Sequence, residues 1–412
     1  MIASRLFCLF FLLFVSSIAL ANGGVNLDST RVDKEKRITM VPLPIIGANP
    51  TTGFIAGFSP GFYATLGDPA TTSMSSALGY ILYTTNRQFF VSGRATVFFD
   101  NDRYVMLSDI RFALNSQPTY GLGTNPEYAY KTSPGDDGNI SDDMFEKVPR
   151  REMIEFNQIR FYNTLFKRIE ETRFFVGVGY HFDYMYSIQD NVNDYTSVPP
   201  KLSFHEEYQN RIGVSTDSYA QSGLSGNLMY DSRDNVANPY KGQYAFASLR
   251  GFPEFMGSSV SQSQLWLEYR NYFNLVKERP RNLLAFWAWG WFVTGGNVPY
   301  MFLPATGWDM FSRSARPYTL GRFRGEDVVY TELEWRFPLQ QRKDRLGGVV
   351  FVNGSTASNR YEQVGIYDYM QFGYGFGLRY MLNPDKRINL SLDYGMGANG
   401  ASGIFLNLKE MF

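Results

Sequence analysis

From Gln371 the chain reads Gln-Phe-Gly-Tyr-Gly-Phe-Gly-Leu-Arg-Tyr-Met-Leu, and almost every second residue is large and apolar. Phe372, Tyr374, Phe376, Leu378, Tyr380 and Leu382 fall on one side; Gln371, Gly373, Gly375, Gly377 and Arg379 fall on the other. After Asn383-Pro384-Asp385 the pattern resumes, with Ile388, Leu390, Leu392, Tyr394 and Met396 alternating with Arg387, Asn389, Ser391 and Asp393. Successive side chains of a strand point to opposite faces. Each run therefore predicts a strand with one aromatic-aliphatic face and one polar or bare face. A soluble sandwich alternates too, so the pattern needs company before it decides anything.

The company is the rest of the chain. Similar alternation predicts strands near 37–46, 53–66, 73–84, 88–100, 103–115, 151–166, 170–187, 221–233, 241–252, 262–277, 282–295, 325–337, 346–356, 370–382, 386–397 and 403–412. That is sixteen, an even number, as bacterial single-chain membrane barrels have. Pro42 and Pro44 count against the first of them, because proline removes a ladder donor. Links alternate in length. Asp100-Asn101-Asp102, Lys167-Arg168, the Asp234–Gly242 turn, Glu278-Arg279-Pro280-Arg281 and Asn383-Pro384-Asp385 are short and polar, whereas 116–150, 188–220 and 296–324 are long. Outer-membrane barrels put short turns on the periplasmic side and long loops outside. The expected fold is all-β: a single 16-stranded antiparallel transmembrane β-barrel over 37–412, aromatic face to lipid, polar face to the lumen.

Composition narrows this further. Aromatic residues make up 17% of the chain, with 28 Tyr and 35 Phe, yet after Asn22 no apolar run is long enough for a membrane-spanning helix. Aromatics shown on one strand face fit that combination. The net charge is zero, without the basic footprint of a nucleic-acid binder. At the start, Arg5, the apolar run Leu6–Leu20 and Ala19-Leu20-Ala21 have the layout of a secretory signal, predicting residues 1–21 as signal peptide and 22–36 as a short periplasmic leader. The run falls short of the roughly 20 residues a membrane anchor needs. Cys8, the one cysteine, lies inside that signal, so no disulfide is expected in the mature chain. The expected location is the outer membrane of a Gram-negative bacterium, with outer-membrane lipid as surroundings.

Several groups could carry chemistry. Asp231 and Arg233 share a lumen face, and Asp234-Asn235 open a turn that Pro239 and Gly242 close; turn chemistry explains them better than a metal site does. Asp136-Asp137-Gly138-Asn139 and Asp142-Asp143 are rich in oxygen ligands, but their spacing is not that of an EF-hand, and a solvated loop is the simpler account. His181 lies two residues from Asp183 on a lumen face, in the layout of an acid–base dyad, but no motif nominates a partnered serine. His205 falls in a loop. No catalytic residue, metal or cofactor is predicted. In the strand at 325–337, Val329, Thr331, Leu333, Trp335 and Phe337 share one face, and Glu332, Glu334 and Arg336 the lumen face. A carboxylate in a narrow lumen needs a partner, since an unpaired desolvated charge is costly.

Three stretches go beyond a generic barrel. One is Leu228-Met229-Tyr230-Asp231-Ser232-Arg233-Asp234-Asn235 with Asn238-Pro239 and Gly242. The second is Arg316-Pro317-Tyr318, Gly321-Arg322-Phe323-Arg324-Gly325, then Glu334-Trp335-Arg336-Phe337-Pro338. The third runs from Asp393-Tyr394-Gly395 to Glu410-Met411-Phe412. In this order and spacing the chain resembles the BamA/TamA family, outer-membrane barrels of protein assembly and two-partner secretion. The resemblance implies a sixteen-strand barrel whose long loop between strands eleven and twelve folds inward. It implies that Arg316 meets Glu334, and that Phe412 belongs to the signal read by barrel-assembly machinery. The chain departs from the family pattern in three ways. Proline follows the arginine where glycine is usual, Asn353 stands where the strand-thirteen acid would be, and no polypeptide-transport-associated domains precede the barrel. Function expected from the resemblance is insertion or translocation of polypeptide or lipid, alone or with a separate periplasmic partner. A passive pore or solute channel with an in-folded plug loop is the alternative, and a solvated loop arginine is the plain reading of Arg316.

Overall fold

Alternation fixes which face each residue takes, and the computed structural model carries it through sixteen hydrogen-bonded strands. It describes residues 38–49, 53–124, 141–143, 146–148, 152–236, 238–309, 313–340, 345–384, 387–408 and 410–412. The signal and leader expected at 1–36, the acidic residues Asp136–Asn139, and Asp385 lie outside these.

The strands are β1 (Thr39–Asn49), β2 (Gly53–Ala64), β3 (Ser75–Thr84), β4 (Phe89–Phe98), β5 (Tyr104–Thr119), β6 (Glu152–Arg168), β7 (Phe174–Asp190), β8 (Tyr219–Asp231), β9 (Gly242–Phe252), β10 (Gln262–Asn274), β11 (Leu283–Gly296), β12 (Asp327–Pro338), β13 (Leu346–Ala357), β14 (Gln371–Asn383), β15 (Ile388–Gly397) and β16 (Ser402–Leu408). They form one sheet in chain order, each antiparallel to the next. A detached pair, Ser141–Asp143 with Glu146–Val148, lies in the loop after β5 and holds Asp142 and Asp143. Among the described residues no ladder joins β1 to β16. The sheet nonetheless curls round one interior, because residues of β4, β6, β9, β10 and the carboxyl end line the same cavity.

The two faces separate cleanly. Phe372, Tyr374, Phe376, Leu378 and Tyr380 are exposed, whereas Arg379 between them is 2% exposed. On β12, Leu333 and Trp335 face out, and Glu332, Glu334 and Arg336 are buried inside. An exposed band of this kind suits lipid, since interior and exterior residues alternate along every barrel strand.

Pro42 and Pro44 do not break β1, which pairs with β2 from Thr39↔Tyr63 to Asn49↔Gly53. Residues two apart direct their N–H groups to the same edge. Both missing donors thus fall on a single edge of β1, and the donors of the intervening residues remain for the other.

Three expectations need correcting. The last strand ends at Leu408, not 412; Glu410, Met411 and Phe412 turn into the interior and are buried. The loop between β7 and β8 contains a helix, α1 (Phe204–Ile212), whose N-cap Ser203 side chain accepts from Glu206 N and whose C-cap Gly213 is left-handed. His205 is on that helix and fully buried, with Nδ1 2.8 Å from Asp190 Oδ2 and Nε2 3.3 Å from the Tyr219 hydroxyl. Finally, the lumen is not polar throughout. Trp287, Trp289 and Trp291 of β11 face inward and pack with Trp266, Tyr330 and Phe412. Two of them keep indole partners there, as Trp287 donates to Glu268 at 2.8 Å and Trp291 to Gln264 at 2.7 Å.

Candidate functional site: an in-folded loop and its charge cluster

The connection from β11 to β12, residues 297–326, is the long loop expected to fold inward. Its base is a narrow ribbon. Ala305 bridges Arg324, Thr306 N donates to Phe323 O at 2.9 Å, and Gly321 N donates to Thr306 O at 2.8 Å. Gly321 has φ +75°, a left-handed conformation that suits glycine. Gly325 lies so close to β13's end that a Cβ there would stand 2.1 Å from Ser358 O. The loop also packs under α1: Tyr208 donates to Val298 O at 3.1 Å, and Tyr300 N donates to Gln209 Oε1 at 3.0 Å. Arg324 donates to Tyr300 O at 2.8 Å, its own carbonyl accepts from Gly123 N at 2.7 Å, and Phe323 meets Tyr318 edge-on at 4.8 Å. Arg322 lies over the Tyr120 ring at 4.7 Å.

Arg316, at the inner part of the loop, is 1% exposed and meets three carboxylates. One terminal nitrogen donates to Asp393 Oδ2 at 2.5 Å; the other donates to Glu332 Oε1 at 2.6 Å and Glu334 Oε1 at 2.5 Å. The guanidinium also lies 3.8 Å over the Phe351 ring. Burial opposes the charge on Arg316, but Glu332, Glu334 and Asp393 outweigh that and hold its pKa well above arginine's ordinary value. The cluster continues outward. Arg336 Nε donates to Glu334 at 2.7 Å; Arg379 bonds Asp393 at 2.5 Å and Glu410 at 2.7 Å; and Tyr330 donates its hydroxyl proton to Glu332.

Arg316 meets Glu334 together with Glu332 and Asp393, and Asn353, standing where an acid would be, reaches the cluster by hydrogen bonds. Asn353 Nδ2 donates to the Arg316 carbonyl at 2.6 Å, and Asp393 of β15 supplies the further charge. Asp393 was visible as an inward residue, but only the curl of the sheet brings β15 to β12. The bare face of β14 and β15 also acquires a reason. A Cβ on Gly373 would lie 2.7 Å from Pro317, and one on Gly397 would lie 2.7 Å from the Tyr318 ring. Those glycines form a floor for Arg316-Pro317-Tyr318. The Tyr318 hydroxyl then donates to Phe372 O at 2.6 Å and accepts from Ala398 N at 2.9 Å.

The turn motif forms a separate unit. Arg233 grips Asp231 with two bonds at 2.9 and 2.6 Å, and Asp234 Oδ1 accepts from Tyr240 N at 2.9 Å. Pro239 is buried, and Gly242 has φ +102° with a Cβ position 2.3 Å from Ser232 O, so no other residue fits there without strain. Phe412 is buried beside Trp287, ring centroids 5.2 Å apart, with Arg336 5.0 Å over its ring. It is therefore not a final-strand aromatic. His181 and Asp183 do not form a dyad. Asp183 is taken by Arg160, Tyr162, Gln158 and Gln221, while His181 Nε2 meets Ser225 Oγ at 2.7 Å with no group orienting Nδ1.

The Omp85 superfamily domain matches residues 150–400, well over half of the chain. The chain belongs to the Omp85 superfamily. Both the loop cluster and the turn motif lie in the matched span. BamA from Haemophilus ducreyi, solved without its POTRA domains 1–3, has the same fold, with TM-score 0.54 and 16% identity over 90% of this chain and 69% of that one. CdiB from Acinetobacter baumannii has TM-score 0.47 at 12% identity, covering 88% of this chain and 62% of that one. CdiB from Escherichia coli has TM-score 0.49 at 9% identity, covering 90% and 61%. No curated protein matches this Omp85 chain in sequence. The resemblance to BamA/TamA barrels read from the sequence is borne out by the family match and by the BamA fold.

Proposed function

We propose that this Omp85 chain is a Gram-negative outer-membrane barrel that inserts or translocates polypeptide, with the 297–326 loop held across the lumen as a gated plug. Superfamily membership supports the general reading. The observation that carries the gate is Arg316, buried and bound by Glu332, Glu334 and Asp393 from two separate strands. That contact anchors the inner part of the loop, so losing it loosens Arg316-Pro317-Tyr318 from β12 and β15. A separate periplasmic partner would deliver client chains, and barrel-assembly machinery would fold the protein itself, reading Phe412.

Purified protein in planar bilayers tests this. The expected record is small, flickering conductance that becomes large and steady in Arg316→Ala. In proteoliposomes the same protein should speed membrane insertion of an unfolded β-barrel substrate. A large steady conductance in the wild type, with no effect on insertion, would make the chain a passive pore.

A further inference from the structure

The turn between β8 and β9, residues 232–241, does not stay with its own strands. Val236 packs against an inward cluster that holds Phe98 of β4, Val105 of β5, Phe166 of β6 and Phe175 of β7. Four residues on, Tyr240 packs against the cluster that holds Trp287, Tyr330 and Phe412. Arg387, on the turn between β14 and β15, lies 4.2 Å over the Tyr240 ring and binds Asp234 Oδ2 at 2.8 Å. Strands β10 to β13 separate those two turns along the sheet, so this contact crosses the mouth of the lumen and does not follow the wall. Internal bonds stiffen the span. Asp234 Oδ1 accepts from Tyr240 N at 2.9 Å and Lys241 N at 3.3 Å, and Asn235 Oδ1 accepts from Asn238 N at 2.9 Å. Between Asn238 and Tyr240 and the wall residues Arg281, Leu283 and Phe337, only about 10 Å³ is left, room for one water at most. Arg387 has φ +51°, a conformation that ordinarily goes to glycine or asparagine, so an arginine there is favoured by what its side chain reaches and not by the turn. A cavity of about 170 Å³ is lined both by Val236 of this turn and by Trp308, Asp309 and Arg313 of the 297–326 loop.

We propose that the 232–241 turn is a second closure of the lumen, a floor at the short-turn end latched by Asp234 and Arg387, and that the cavity is a chamber between this floor and the loop. The latch is the weaker of the two closures. The Asp234 and Arg387 side chains keep 18% and 28% of their exposure, and an ion pair that water reaches holds little and yields to salt. Arg316, buried among three carboxylates, is the opposite case. The floor therefore opens separately from the loop and more easily. Its contacts define it whether the lumen passes polypeptide or solute.

A single cysteine inside the chamber tests this. The full chain carrying Cys8→Ser and Thr96→Cys, a position that lines the cavity, is folded in detergent and labelled with a small charged methanethiosulfonate. Labelling should be slow, and about two- to fivefold faster with Arg387→Gln or Asp234→Asn, as loss of an ion pair of this exposure allows. Asp234→Asn keeps the Oδ1 acceptor for Tyr240 N and Lys241 N, so the turn itself survives. Arg387→Lys should return most of the slow rate. Arg360→Gln, which breaks an exposed pair with Asp327 on another loop, should label as the parent does. Raising the ionic strength from about 0.01 to about 1 M shortens the screening length from about 30 to about 3 Å. That should speed labelling while the latch is intact and leave Arg387→Gln unchanged. Should Arg387→Gln fail to fold, Asp234→Asn takes its place in the salt series. Rates indifferent to both latch substitutions, or a salt effect equally large once the latch is broken, overturn the proposal.

Discussion

On the wall formed by β12 to β15, Arg316 of the loop meets Glu332, Glu334 and Asp393 at once, while the strand arginines Arg336 and Arg379 hold Glu334, Asp393 and, from the carboxyl end, Glu410. On the wall formed by β4 to β9, Arg94, Arg111 and Arg160 share Asp109, Arg160 also binds Asp183, and Arg250 has no carboxylate in ion-pair reach among the described residues. The first wall is buried and closed by contact; the second faces an open cavity. A lumen of low dielectric makes uncompensated charge expensive. The inner part of the loop is fixed to β12–β15 by Arg316, while Trp308, Asp309 and Arg313 of the same loop border the cavity on the other side.

The largest effect that tests the contrast is Arg316→Ala. It leaves Glu332, Glu334 and Asp393 facing one another, and breaking a buried pair this way costs about 3–5 kcal/mol, less where water enters. Unfolding of the detergent-folded barrel, read by heat-modifiable gel migration, should show it. Arg316→Ala and Glu334→Ala should be strongly non-additive in a double-mutant cycle. Arg250→Gln on the other wall should cost nothing measurable. Equal losses from the two arginines would erase the distinction between the walls.

Phe376→Arg comes next. It places a charge on the exposed face and should cost about 2–4 kcal/mol near the midplane. Gly375→Arg would have been the natural lumen counterpart, but a Cβ at Gly375 would stand 2.1 Å from Tyr394 O, so that position tests packing rather than polarity. Gly397→Ala isolates the packing. Its methyl meets the Tyr318 ring at 2.7 Å and should cost about 1–3 kcal/mol by overpacking. Gly226→Ala, with open space about its Cβ, should be silent. A silent Gly397→Ala would mean that the loop does not rest on β15.

Strand periodicity made the sixteen strands legible, since a lipid-facing residue at every second position leaves few alternative registers. The inward direction of Glu332, Glu334 and Asp393 was legible for the same reason. Their convergence on one arginine was not, because strand pattern carries no information about which distant strands face each other across a lumen. Asp393 stands out in the sequence as an alternating residue and as part of a family-like stretch, neither of which ties it to Arg316, and Asn353, a missing charge in the sequence, holds the Arg316 backbone in the structure. α1 had local signals, Ser203 with Glu206 three residues on and Gly213 after it, but they were submerged in a loop otherwise read as irregular. The inward tryptophans of β11 defeat a simple polar-lumen rule, because the lumen is filled by a loop and the carboxyl end and so behaves in part like a core.

The smallest effect concerns the cation-rich wall alone. Thr96 lies on β4 two residues from Arg94 and lines the cavity. Thr96→Glu would put a carboxylate among Arg94, Arg160 and Arg250 without displacing a packed group. Burying a new carboxylate is ordinarily unfavourable. Here Arg250 has no carboxylate in ion-pair reach among the described residues, and the cavity leaves the side chain partly hydrated. In anion-free buffer the substitution should therefore stabilise the barrel by about 0.5–1 kcal/mol. The same change at Ser391, buried beside Asp393 on the opposite wall, should destabilise it. A loss at Thr96 as large as the loss at Ser391 would show that Arg250 is already answered by solvent. The two walls would then differ in geometry but not in electrostatic need.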